Sequence, residues 1–176
     1  MYKFACNTSL TAILKDCSNN TGGLQAFYIA PTEFVTGSTV SAGTVTAISM
    51  SGLSKFVEFQ FNKNTANYVE AGTISLENGS QFYAITANLI IPRREVAKRN
   101  ALALIAAGNR PLQIIMKDFN GLYWYMGYTN SANLTAIGDG SGTAKGDGSK
   151  YSLTFLAEEP QAMYEVDSAI ISGITS

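Results

Sequence analysis

Apolar and polar residues alternate along most of this chain in short runs broken by Gly, Asn, Ser and Pro, the period of half-buried β-strands. From Leu24 to Ile91 the runs are rich in Val, Ile, Thr, Phe and Tyr and predict strands near 24–30, 43–50, 53–62, 67–77 and 81–91. Within Lys55–Phe61 the alternation puts Val57, Phe59 and Phe61 on one face and Glu58 and Gln60 on the other, so the polar face requires solvent or a lumen. Asn78-Gly79 separates two such runs, and this pair supplies the positive φ angles of a tight type I′ hairpin turn.

The period changes once. Pro92 to about Gly108 predicts a helix, with Pro at its first turn, Gly108 just past its end and Pro111 forbidding continuation. Ala97, Ala101, Leu104 and Ile105 share one face, while Arg93, Arg94, Lys98 and Arg99 make the first half basic; a solvated face and a subunit contact both accommodate these cations. Strand patterns return at 112–116, 122–126, 132–137, 150–157 and 163–166, and Asp118-Phe119-Asn120-Gly121 makes the first connection a hairpin. Residues 138–149 read as a mobile Gly-rich loop. The organisation expected is an arm over 1–23, one domain over 24–167 and a small-residue tail over 168–176.

Composition adds a hint of assembly. Charged residues are 14% of the chain, against about 25% in average soluble proteins, and a charge-poor surface is cheap to desolvate between subunits. With a net charge of −1 and mostly scattered cations, the footprint of an avid nucleic-acid binder is missing. Met1–Cys6 has no secretory apolar run and no stretch approaches the roughly 18 apolar residues of a membrane span, so a soluble protein made in a cytoplasm and free of membranes is expected.

Candidate chemistry is sparse. The chain has no His, which removes most Ser-His and Cys-His nucleophile pairs and the common zinc sites, so Cys6 and Cys17 read as reduced thiols. Glu158-Glu159 are neighbours in a strand, point to opposite faces and read as an exposed strand end, not an acid–base pair. Gly138–Ser149, with Asp139 and Asp147, lacks the Gly-Lys-Ser/Thr ending of a phosphate loop and the terminal Glu of an EF-hand. Tyr123, Trp124 and Tyr125 suit a sugar platform or, more simply, core and subunit contacts, with Trp124 on one face and both tyrosines on the other. No enzyme activity, metal or cofactor is expected.

From Gln81 to Asp167 the order of features resembles the major tail tube proteins of tailed bacteriophages. The residues that carry this are a strand pair, Pro92-Arg93-Arg94 opening a helix that ends at Gly108, and Leu112-Gln113-Ile114-Ile115-Met116-Lys117-Asp118-Phe119-Asn120-Gly121-Leu122-Tyr123-Trp124. Gly142-Thr143-Ala144-Lys145-Gly146-Asp147 and Tyr151-Ser152-Leu153-Thr154-Phe155 follow.

The resemblance implies a mainly β fold, an antiparallel β-sandwich or partly closed barrel with one flanking helix. It further implies six copies in a ring, rings stacked into a tube, and a channel for genome ejection, in a virion assembled in a bacterial host. The partners implied are further copies, other tail proteins and, transiently, DNA. Lumen candidates are Glu58, Gln60, Glu70, Thr73, Ser75 and Glu77, because a bore that lets DNA slide should offer few cations. Subunit-contact candidates are Arg93, Arg94, Tyr123, Trp124, Tyr125, Asp139 and Asp147, with 1–23, 31–42 and 138–149 as ring-stacking segments. A tail terminator, connector or baseplate protein of the same fold is the nearest alternative, and a carbohydrate-binding β-sandwich module the second.

Overall fold

A computed structural model describes residues 11–176. The alternating runs become β1 (Leu24–Pro31), β2 (Val35–Ser41), β3 (Thr44–Met50), β4 (Val57–Glu58), β5 (Ala66–Ile74) and β6 (Gln81–Pro92). After helix α1 (Val96–Ala106) come β7 (Leu112–Asp118), β8 (Tyr123–Met126), β9 (Asn133–Gly138), β10 (Lys150–Glu159) and β11 (Tyr164–Val166), then helix α2 (Ser168–Ile174). One sheet has seven strands in the order β2-β3-β11-β8-β7-β1-β4, the other four in the order β5-β6-β10-β9. All pairings are antiparallel except β11 with β3. The protein is a β-sandwich with flanking helices.

The sandwich core follows directly from period 2. Ile85, Ala87, Leu89 and Ile91 of β6 and Leu153, Phe155 and Ala157 of β10 face Phe27, Ile29, Ile114, Met116 and Met126 of the larger sheet, with Phe27 and Phe155 ring centroids 5.6 Å apart. A second core covers the other face of the seven-stranded sheet, where Val45, Ile48, Phe56, Ile115, Tyr125 and Val166 meet Ile171 and Ile174 of α2. β7 is thus buried on both sides, which explains its nearly unbroken apolar run. Residues 168–176 are therefore not a loose tail: Asp167 caps α2 by accepting from Ala169 N at 2.9 Å, and Phe56 N donates to Ile174 O at 2.8 Å.

Several local expectations change for identifiable reasons. Residues 53–62 are not a continuous strand: Phe56 enters the second core, Phe59 and Phe61 rest against the first, and Val57 is exposed between them. Pro92 ends β6 opposite Lys150 instead of opening a helix, because the ladder with β10 persists that far. α1 starts at Val96, so Leu102 and Ile105 meet the core while Ala97, Ala101 and Leu104 stay exposed.

Asn78-Gly79 does sit in the β5–β6 hairpin, but only Gly79 has positive φ, and the wider turn is closed by Ser75 N to Ser80 O at 2.9 Å. The two successive positive φ angles that a type I′ turn requires occur at Ala42-Gly43, joining β2 to β3, so much of 31–42 is strand. Residues 11–20 are exposed and carry neither strand nor helix, and Cys6 lies outside the described residues.

Candidate functional site

The same alternation that buries one face of the four-stranded sheet exposes the other, and that outer face is almost free of charge. Its cross-strand rows are Asn67, Asn88, Thr154 and Ala136; then Val69, Thr86, Leu156 and Asn133; then Ala71, Ala84 and Glu158. Thr154 Oγ1 donates to Asn88 Oδ1 at 3.1 Å across two strands. Glu158 and Lys150 are the ionisable residues on this face, and both stand at strand ends.

The two edges of this sheet carry few of the devices that protect an edge strand. β5 runs nine residues without Pro, Lys or a bulge and carries a single charge, Glu70. β9 is uncharged but has one bulge, since Thr154 and Phe155 of β10 pair with Ala136 and Leu134 and pass over Thr135, and Ile137 on it is 45% exposed. Edge strands of proteins that remain monomeric are commonly blunted by Lys, Pro or bulges.

The lumen candidates do not form one surface. Glu58 lies on β4 and Gln60 just after it, at an edge of the seven-stranded sheet, whereas Glu70 and Thr73 are on β5, and Ser75 and Glu77 are in the hairpin turn. Glu70 also accepts a hydrogen bond from Met163 N at 2.6 Å, and it points to the opposite face of β5 from Thr73. Only Thr73 belongs to the outer face described above. The residues that fill that face, such as Thr86, Asn88, Ser152 and Thr154, were legible as the polar partners of the apolar set in 81–91 and 150–157.

Four contact candidates converge at the α1 end of the sandwich. Arg94 donates to Asp139 O at 3.0 Å and its guanidinium lies 4.3 Å from the Tyr151 ring centroid. Arg93, in the left-handed region at φ 60°, donates its backbone N–H to Ser149 O at 2.7 Å. Asp147 accepts from Ala144 N at 2.8 Å and Thr143 N at 2.9 Å, bonds that hold its carboxyl below the ordinary range. The 138–149 loop is thus folded on itself and fastened to the start of α1.

The aromatic triplet lies elsewhere. Trp124 faces the sandwich core, and Tyr123 and Tyr125 face the second core, the separation that alternation predicts. Tyr125 is 1% exposed and its hydroxyl, donated to Gln113, is pushed well above its ordinary pKa by burial, so it is a core residue and not a subunit contact.

The chain matches no family model and no curated protein sequence.

Acid–base chemistry has little to work with. Among the described residues no group of three His, Cys, Asp or Glu could hold a metal ion. A polar hollow of about 300 Å³ beside Asn20, Tyr68 and Asn120 contains one carboxylate, Asp118, already committed to the N–H groups of Asn120, Leu122 and Trp124. Glu158 and Glu159 point apart, but Glu159 is 2% exposed and not an exposed strand end. It accepts from Thr129 N at 3.1 Å, Asn130 N at 3.3 Å and Gln161 Nε2 at 3.2 Å, and burial raises its pKa. This structural carboxylate, fixing the loop after β8, had no signal in the sequence beyond its position two residues after an apolar strand face.

Proposed function

We propose that the protein is a self-assembling structural protein whose copies join through the edges of the four-stranded sheet into rings, with the outer face of that sheet turned to a central channel. The observation that carries this reading is the coincidence of an almost uncharged sheet face with two edge strands, β5 and β9, that hold one charged residue between them, Glu70, and no Pro or Lys. Setting β5 of one copy beside β9 of the next would satisfy backbone groups left open at both edges. A wall of Asn, Thr, Ser and Ala interspersed with aliphatic side chains such as Val69, Ile90 and Leu156 holds no row of cations to grip phosphates. The resemblance to phage tail tube proteins extends this to stacked rings, a genome-ejection channel and a place in the virion.

Electron microscopy and sedimentation of the purified chain test it: rings or tubes are expected, and Ile137→Lys on β9 should abolish them while leaving the fold intact. A mass of 18.8 kDa at every concentration and salt would overturn the reading. Rings that never extend would favour a terminator or connector of the same fold. The carbohydrate-module reading loses its platform, because Trp124 is turned to the core.

A further inference from the structure

The proposed rings account for contacts in one plane only, and the two ends of β6 carry surfaces that those contacts leave unused. At one end, the β5–β6 hairpin outruns its sheet. β10 reaches only to Tyr83, opposite Glu159, so residues 73–82 pair with each other and with nothing else in the sheet. Ile74 is 68% and Leu76 97% exposed on this projection. Glu77 is the one charged residue of 73–82, so the projection is apolar with a single negative charge at its tip.

At the other end, twelve residues away along β6 and so roughly 40 Å distant, stands α1. Val96 is 73% and Leu104 63% exposed there. Residues 93–99 hold four cations, Arg93, Arg94, Lys98 and Arg99, against one carboxylate, Glu95. Positive charge at a helix N-terminus opposes the macrodipole, and the first turn of α1 contains no acid. Lys98 is engaged by the carbonyls of Pro92 and Arg93, and Arg94 by Asp139 O and the Tyr151 ring, which leaves Arg93 and Arg99 to face outward. Glu95 gives no capping bond and pairs instead with Lys98 at 2.9 Å.

We infer that the acidic, apolar tip of the β5–β6 hairpin docks on the basic, apolar face of α1 in a second copy of the chain. The two surfaces are complementary in charge, each offers exposed aliphatic side chains, and they lie at opposite ends of one strand. They cannot satisfy each other within one molecule, and a contact between unlike surfaces at opposite ends repeats without closing. Resting on the ring reading above, this contact is the one that would stack one ring on the next.

The test separates the two levels. Glu77→Lys combined with Leu76→Ser, both at exposed turn positions, should leave ring mass unchanged by sedimentation but raise the concentration needed for tube growth by about tenfold or more. The charge exchange Glu77→Arg with Arg99→Glu in one chain should restore tubes that Glu77→Arg alone loses. Tubes that form normally with the Glu77→Lys, Leu76→Ser tip, or a loss that the exchange fails to repair, would overturn this pairing and leave the ring reading standing. A wild-type chain that stays monomeric would overturn both.

Discussion

Trp124 donates its indole N–H to Asp118 Oδ2 at 3.1 Å across the β7–β8 hairpin. The other oxygen of the same carboxylate accepts from Asn120 N at 2.8 Å and Leu122 N at 3.0 Å, so one buried acid fixes both the turn and the tryptophan. Asp118→Ala strands all three donors and should cost about 2–3 kcal/mol. Thermal unfolding measures the loss, and a red-shifted Trp124 emission would report its release. An unchanged melting temperature would mean that water replaces the carboxylate without penalty.

Gly127 should be intolerant of any side chain. Its φ is 84°, and a Cβ would lie 2.7 Å from Ala132 N and 2.9 Å from Leu112 O, both backbone atoms that cannot step aside cheaply. Gly127→Ala is expected to cost about 3 kcal/mol or more by urea unfolding. Gly43→Ala, with open space around it despite φ 87°, should cost less.

Ile171→Ala and Ile174→Ala should each destabilise the protein by about 2–4 kcal/mol, since both side chains are buried in the second core. Binding of a hydrophobic dye should rise in either variant. An effect below about 0.5 kcal/mol would mean that α2 is not a working part of the domain.

Glu159 predicts a pH dependence of opposite sign to that of a salt-bridged acid. Burial lifts its folded-state pKa above the ordinary 4.5, so in that interval the native protein keeps a proton that the unfolded chain has released. Its contribution is fully present below 4.5 and is lost as pH rises through the raised value. Denaturation midpoints of the wild type and Glu159→Gln, compared from pH 4 upward, should therefore diverge, with the wild type losing ground relative to the variant. Parallel curves would contradict the raised pKa.

Much of the architecture was legible because the strands of the sandwich core alternate strictly: Ile85, Ala87 and Leu89 against Ala84, Thr86 and Asn88 announce both faces of β6. The second core was hidden, because α2 is only seven residues of mixed small and aliphatic type, too short for its period to register. Val57 was read as sharing the face of Phe59 and Phe61, yet it is exposed, because regular pairing holds there for only the two residues of β4. The lumen candidates failed as a group for a related reason. Local pattern tells which side of a strand is polar, whereas membership of a sheet depends on pairing with residues far along the chain, as between Glu58 on β4 and Glu70 on β5.

The position of β11 has a consequence for the order of folding. It lies between β3 and β8 and supplies the sheet's one parallel pairing, Val166 beside Val45, across more than a hundred residues of intervening chain. The β2–β3 hairpin can close early on local contacts, yet it has no place in the sheet until residue 166 has left the ribosome. A nascent chain therefore waits with Val45 and Ile48 uncovered, and closure of this pairing carries the loop entropy that slows non-local β-structures.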